Sequence, residues 1–158
     1  MFALVPFEPT GVPASFAPTA KDTRVHAGFL IAHNSVAQSV VNAVSAQVRA
    51  NPTYSIVTTG HSLGAALASL FAVTLKANFP NTTMKVYTFG QPRTGDRSYA
   101  DLIDRLVGQQ NIYRAVHTTG TSSDLEDPST IANTIYSRSG NVYPTAGTRL
   151  PPPVSAFS

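Results

Sequence analysis

No cysteine occurs among the 158 residues, which excludes disulfides, thiolate metal sites and thiol nucleophiles. The redox compartment stays open, because a secreted chain need not contain cysteine. Charge is scarce as well: 12% of residues are Asp, Glu, Lys or Arg, about half the usual share. The net charge of +3 reflects only 8 acids rather than a surplus of bases, and the 11 Lys and Arg are scattered. Without a basic run or interleaved aromatics, nucleic acid is not an expected partner. No apolar run approaches the ~20 residues of a membrane-spanning helix. The start, MFALVPFEPTGVPASF, has no basic n-region, and Pro6, Glu8, Pro9 and Pro13 interrupt its apolar residues, so it does not read as a signal peptide. The four histidines, His26, His33, His61 and His117, lack the spacing of a metal site. No metal and no other cofactor is expected.

What is present suits one folded domain. Hydrophobic residues make up 42% of the chain, which argues against disorder. Its polarity comes from 15 Ser and 18 Thr, so the surface should be rich in hydroxyls rather than ionic. One sequon, Asn81-Thr82-Thr83, would suit a glycosylated loop, but such triplets arise often by chance and that is the expectation here.

Three regions are distinguishable. Residues 1–24 carry Pro6, Pro9, Pro13 and Pro18 and read as an extended segment, since proline fixes φ and lacks a donor. Residues 25–119 alternate helix and strand patterns. Val36, Val40, Val44 and Val48 lie four apart on one helix face, with Ser35 as a potential N-cap and Asn51-Pro52 as the stop. YSIVTT (54–59) reads as a strand, LGAALASLFAVTLKANF (63–79) as a helix and MKVYTF (84–89) as a strand. A helix capped by Asp96 and stopped by Gly108 follows, then a strand over NIYRAV (111–116). That order predicts an α/β fold, a mostly parallel sheet with helices on both faces. Residues 120–158 have no sustained period and end Pro-rich.

Gly60-His61-Ser62-Leu63-Gly64 matches G-x-S-x-G between a strand and a helix. A sharp turn there holds the serine in a strained conformation and exposes its Oγ above the carboxyl edge of the sheet. Side chains at Gly60 and Gly64 are expected to collide with their surroundings. Ser62 is thus a nucleophile candidate, with the helix N-terminus and the Leu63 N–H available to an oxyanion.

VHAGF (25–29), TGHSLGAALASL (59–70), VYTFGQPRTGD (86–96) and IYRAVH (112–117) resemble, in order and spacing, the signature segments of fungal-type (class 3) lipases, a family with the α/β-hydrolase fold that includes feruloyl esterases. The resemblance covers residues 25–119. It implies a serine ester hydrolase acting on acylglycerols or related esters through an acyl-enzyme on Ser62, contact with a lipid interface, and secretion. A non-catalytic lipase-like domain that binds lipid or a partner is the alternative.

The triad is the point of departure. An α/β-hydrolase orders its triad Ser, then Asp or Glu, then His, but no histidine here follows a carboxylate in the later region, so no catalytic His is assignable. Gly120 stands where the family's acid would align, leaving Asp124 as the nearest substitute, with Glu126 and Asp127 behind it. The family's early strand and lid helix also have no counterpart, so the chain reads as a lipase domain shortened at both ends and impaired in turnover. Among the other residues, His61 is expected to be structural or oxyanion-side, His26 a buried hydrogen-bonding residue, and His33 solvent-facing. His117 is the one internal candidate for an improvised base. Arg93 is expected to orient loops through carbonyls, and Asp101 and Asp104 to form a solvated face.

Overall fold

The structure, a computed structural model, describes residues 3–10 and 23–115. Strands β1 (Leu4–Pro6) and β2 (Arg24–His26) pair antiparallel, Val5 opposite Val25. Helix α1 (Ala27–Ala50) follows, then β3 (Ile56–His61), α2 (Leu63–Asn78), β4 (Met84–Phe89), α3 (Arg97–Val107), a short 3-10 turn and β5 (Ile112–Ala115). Strands β3, β4 and β5 form a parallel sheet in that order. Its register sets Gly60 beside Thr88, and Thr88 beside Arg114.

The Ala-rich sequence of α2 explains its central place. Ala65, Ala66, Ala68, Leu70, Ala72, Val73 and Leu75 are all buried, nearly around the whole circumference, as expected of a helix enclosed by other elements. It lies against β3 and β4, and α1 and α3 pack onto it. On β4, Met84, Val86 and Thr88 face this layer and are buried, whereas Lys85 and Phe89 are exposed. Ile112 and Arg114 of β5 point the same way. Among the described residues the helices lie on the α2 side of this sheet. Among the described residues the other face carries Val57 and Phe89, about half exposed, and a stacked Tyr87–Tyr113 pair 4.7 Å apart.

Helix α3 has the boundaries its sequence predicts. Asp96 Oδ1 accepts from Tyr99 N at 2.9 Å, its Oδ2 accepts from Arg24 N at 3.2 Å, and Gly108 ends the helix with φ 86°. The buried stripe Tyr99, Ala100, Leu102, Ile103 and Val107 faces the core. The Tyr99 hydroxyl and Ser69 Oγ lie 2.8 Å apart in the core, so the phenol is satisfied where it is buried.

Several expectations are corrected. Helix α1 starts eight residues before Ser35: its N-cap is His26, and the Ser35 hydroxyl donates to Ala32 O within the helix. Its buried stripe is His33, Ala37 and Val41, while Val36 is exposed. Tyr54 precedes β3 and is 68% exposed. The Pro-rich opening segment contributes β1 and also Phe7, fully buried and edge-on to both His33 and Tyr99. Burying one phenyl ring contributes about 1.5–3 kcal/mol, so Phe7 packs as part of the core.

Candidate active site

Ser62 sits between β3 and α2 with φ 53° and ψ −122°, the one non-glycine residue at positive φ among the described residues. A serine held there costs on the order of 1–3 kcal/mol and persists only where its surroundings over-determine it. They do. Ser62 N donates to Phe89 O at 3.0 Å, tying the turn to the end of the neighbouring strand. Ser62 O accepts from Ala65 N at 3.0 Å and Ala66 N at 3.3 Å, which starts the helix. A Cβ on Gly60 would lie 2.2 Å from Gly64 O, so only glycine lets strand and helix approach this closely. The matching expectation for Gly64 fails: a Cβ there meets nothing within 4 Å. The second glycine of the motif leaves open space beside Ser62 rather than relieving a clash.

Ser62 is the N-cap of α2, yet its side chain makes no capping bond and is exposed. Leu63 is the first residue of the helix, so its N–H has no intrahelical acceptor and joins the positive end of the helix dipole. Gly90 N donates to Ala115 O at 2.8 Å, closing the carboxyl edge of the sheet. The His61 ring lies over Gly90, where a Cβ would stand 3.6 Å from its Nε2. Leu63 and Phe89, both about half exposed, add apolar surface around the serine.

The histidines separate cleanly. His26 Nδ1 accepts from Gly28 N at 3.2 Å and its ring packs on Phe29; it is a helix cap and half-buried. His33, expected in solvent, is fully buried: Nε2 lies 3.1 Å from Thr74 Oγ1 and Nδ1 2.9 Å from Asn34 Oδ1. Loss of solvation there pulls its pKa below the ordinary histidine value, with the Asn34 contact opposing. Among the described residues no histidine hydrogen-bonds Ser62 Oγ. His117 and Asp124 lie outside the described residues, as do Glu126 and Asp127.

The loop after β4 is held by an arginine that sequence reasoning missed. Arg114 Nη2 donates to Gln91 O at 2.6 Å, and Gln91 Nε2 donates to Thr94 Oγ1 at 2.8 Å. The available signal was the inward register of Arg114 two residues after Ile112 on β5. Asp101 and Asp104 lie away from the elbow, with Arg105 and Gln109, around a shallow pocket of about 290 Å³. Half-burial raises the Asp104 pKa, Gln109 donating to it opposes the shift, and Asp101 adds to it. Among the described residues, no three His, Asp or Glu side chains converge as metal ligands would. No described helix is long and apolar enough to cross a membrane.

A family model described as Lipase (class 3) matches residues 3–120. The chain belongs to the class 3 lipase family. It is 44% identical over 94 residues to a secreted mono- and diacylglycerol lipase of Fusarium solani, covering 59% of this chain and 27% of that protein. A lipase structure from Rhizopus microsporus var. chinensis superposes with a TM-score of 0.65 at 28% identity, covering 83% of this chain and 42% of the other. A triacylglycerol lipase whose catalytic centre is a serine protease triad gives a TM-score of 0.64 at 28% identity, over 83% of this chain and 46% of that one. This class 3 lipase chain therefore has the α/β-hydrolase fold and spans between a quarter and a half of the length of these relatives.

Proposed function

We propose that this chain carries the nucleophile of a secreted ester hydrolase of lipase type, acting on acylglycerols or related carboxylic esters. The observation that carries the reading is the strained, exposed Ser62 at the strand–helix junction, packed from behind by Gly60. Ser62 Oγ would attack the ester carbonyl, and the Leu63 N–H would donate to the oxyanion as the tetrahedral intermediate forms. Collapse would release the alcohol and leave the acyl group on Ser62, for water to remove. Exposed Leu63 and Phe89 would meet the acyl chain or a lipid surface.

A serine hydroxyl needs a base, and the base needs an acid to orient it. His26 is committed to a cap and His33 to Thr74 in the core, so neither serves Ser62. Asp124 is proposed as the acid and no base is assigned, so slow turnover by this polypeptide alone is part of the proposal. Secretion is supported by the Fusarium relative's description as a secreted lipase.

The test is hydrolysis of a short-chain nitrophenyl ester by the purified chain beside its Ser62→Ala variant. Turnover that disappears in the variant supports the reading. Equal rates in two folded proteins would refute it, and vesicle binding without turnover would favour the lipid-binding alternative.

A further inference from the structure

We propose that Asn81 is an N-glycosylation site, displayed on the turn between α2 and β4 at the end of the sheet opposite Ser62. The proposal rests on the reading of the protein as secreted, because the modification requires passage through a secretory compartment.

The sequence alone left Asn81-Thr82-Thr83 as a chance triplet; the structure separates it from its competitors. Six asparagines lie among the described residues, and five use their side chains. Asn78 Nδ2 donates to Thr10 O and Thr74 O, both at 2.8 Å. Asn51 and Asn111 donate to the carbonyls of Gln47 and Val107. Asn34 Oδ1 lies against His33, and Asn42 Oδ1 accepts from Gln38. Only the Asn81 amide has no partner among the described residues, and Asn81 is exposed. A sugar added at its Nδ2 displaces no hydrogen bond.

The turn is also built to present it. Lys76 Nζ donates to Pro80 O and to Thr82 O, both at 2.8 Å, and so clamps the carbonyl on each side of Asn81. Thr82 N donates to Phe79 O at 3.1 Å, and Thr83 O accepts from Ile56 N at 2.8 Å. The backbone is fixed on both sides while Asn81 faces outward and Thr83, the hydroxyl residue of the triplet, stays exposed. Asn51-Pro52-Thr53, the other Asn-x-Thr triplet of the described segments, is excluded by its central proline.

In the transfer, Asn81 Nδ2 forms a bond to the anomeric carbon of the first sugar of a lipid-pyrophosphate-linked oligosaccharide. The bond from that carbon to the pyrophosphate oxygen breaks, the lipid pyrophosphate leaves, and the amide loses one proton. The site lies at the amino end of β4 and Ser62 just past the carboxyl end of β3. Six strand residues at about 3.3 Å each put roughly 20 Å between them, so the glycan leaves the elbow open. In a chain with 12% charged residues it would add hydration that ionic groups do not supply.

The full chain would be carried into the secretory pathway of a yeast host behind a cleavable leader, beside Asn81→Gln and Thr83→Ala. The same three sequences would be translated in microsomes, where transfer to the nascent chain does not depend on later folding. The expected result is a mass increase of one glycan in the wild type, removed by a glycosidase and lost completely in both variants. Its urea midpoint should be unchanged within error after deglycosylation, and Ser62-dependent hydrolysis should be equal with and without the glycan. An unmodified wild-type chain in either system overturns the proposal, as does a glycosylated chain whose stability recovers when the glycan is removed. Loss of hydrolysis in all three chains would count against the reading of Ser62 and leave the glycan result standing by itself.

Discussion

Replacing Gly60 by alanine should be among the most damaging single-methyl additions in this fold, while the same change at Gly64 should be nearly silent. At Gly60 the added carbon would stand 2.2 Å from Gly64 O, 2.4 Å from Gly64 C and 2.7 Å from Ala65 N. All three are backbone atoms of the first turn of α2, so no side chain can rotate away and the helix must move relative to β3. Overpacking of this kind typically costs about 1–3 kcal/mol, and rigid neighbours put the expected value at the upper end, about 3 kcal/mol. For a chain of this size that corresponds to a fall in Tm of roughly 6–12 °C. At Gly64 the same carbon meets nothing within 4 Å, and alanine is the better helix former by up to about 1 kcal/mol. Thermal unfolding followed by circular dichroism, with urea titrations as a check, compares the two variants directly. A Gly60→Ala variant as stable as wild type, or a Gly64→Ala variant destabilised to the same degree, would refute the reasoning.

Three further outcomes are expected. Ser62→Gly should abolish hydrolysis yet stabilise the fold by about 1 kcal/mol, because glycine adopts φ 53° without strain; urea midpoints for the Gly and Ala variants check it, since alanine keeps the strain. For His33 the folded pKa lies below the unfolded value, so the unfolded chain takes up the proton first and stability falls as pH drops below about 6.5 towards the lower folded value. His33→Gln should flatten that part of the pH–stability curve, measured as urea midpoints from pH 7.5 to 5. Asp104 has the opposite sign: its folded pKa is raised, so its contribution is favourable below the ordinary carboxylate range and lost as pH rises through the raised value. Asp104→Asn should therefore be more stable than wild type at pH 7 by a few tenths of a kcal/mol and no better at pH 3, a crossover that chemical denaturation at the two pH values would detect.

The elements whose ends are marked by local chemistry were legible before the structure. Asp96 and Gly108 bracket α3 because a carboxylate cap and a positive-φ glycine act within a few residues of themselves. The register of α1 was not legible, for a geometric reason. Residues four apart drift by about 40° around a helix of 3.6 residues per turn, so the row from Val36 to Val48 winds through about 120°, wider than one buried face. His33, Ala37 and Val41 occupy the narrower arc that meets α2, and the polar His33 is admitted there because Thr74 lies opposite it. Nothing near His33 in sequence announces Thr74, 41 positions away. Arg114 escaped notice for the same reason, its acceptor Gln91 lying 23 residues earlier.

The same distinction governs the site. Everything that shapes the turn at Ser62 comes from a few consecutive residues and one neighbouring strand: Gly60 for the close approach, Ser62 N to Phe89 O for the anchor, Ala65 and Ala66 for the first helical turn. A motif of five residues therefore specifies it, and the motif can be read. A base has no such local grammar, since a histidine may reach a serine from any loop on that edge of the sheet, and only position in space decides which does. His26, His33 and His61 show how little the residue type tells: one caps a helix, one is sealed in the core, and one lies over Gly90 at the carboxyl edge. Hydrolysis by the chain itself would thus report on a contact to Ser62 from beyond His26 and His33. Its pH profile, rising through the pKa of that group, would give the first indication of whether an imidazole is that partner.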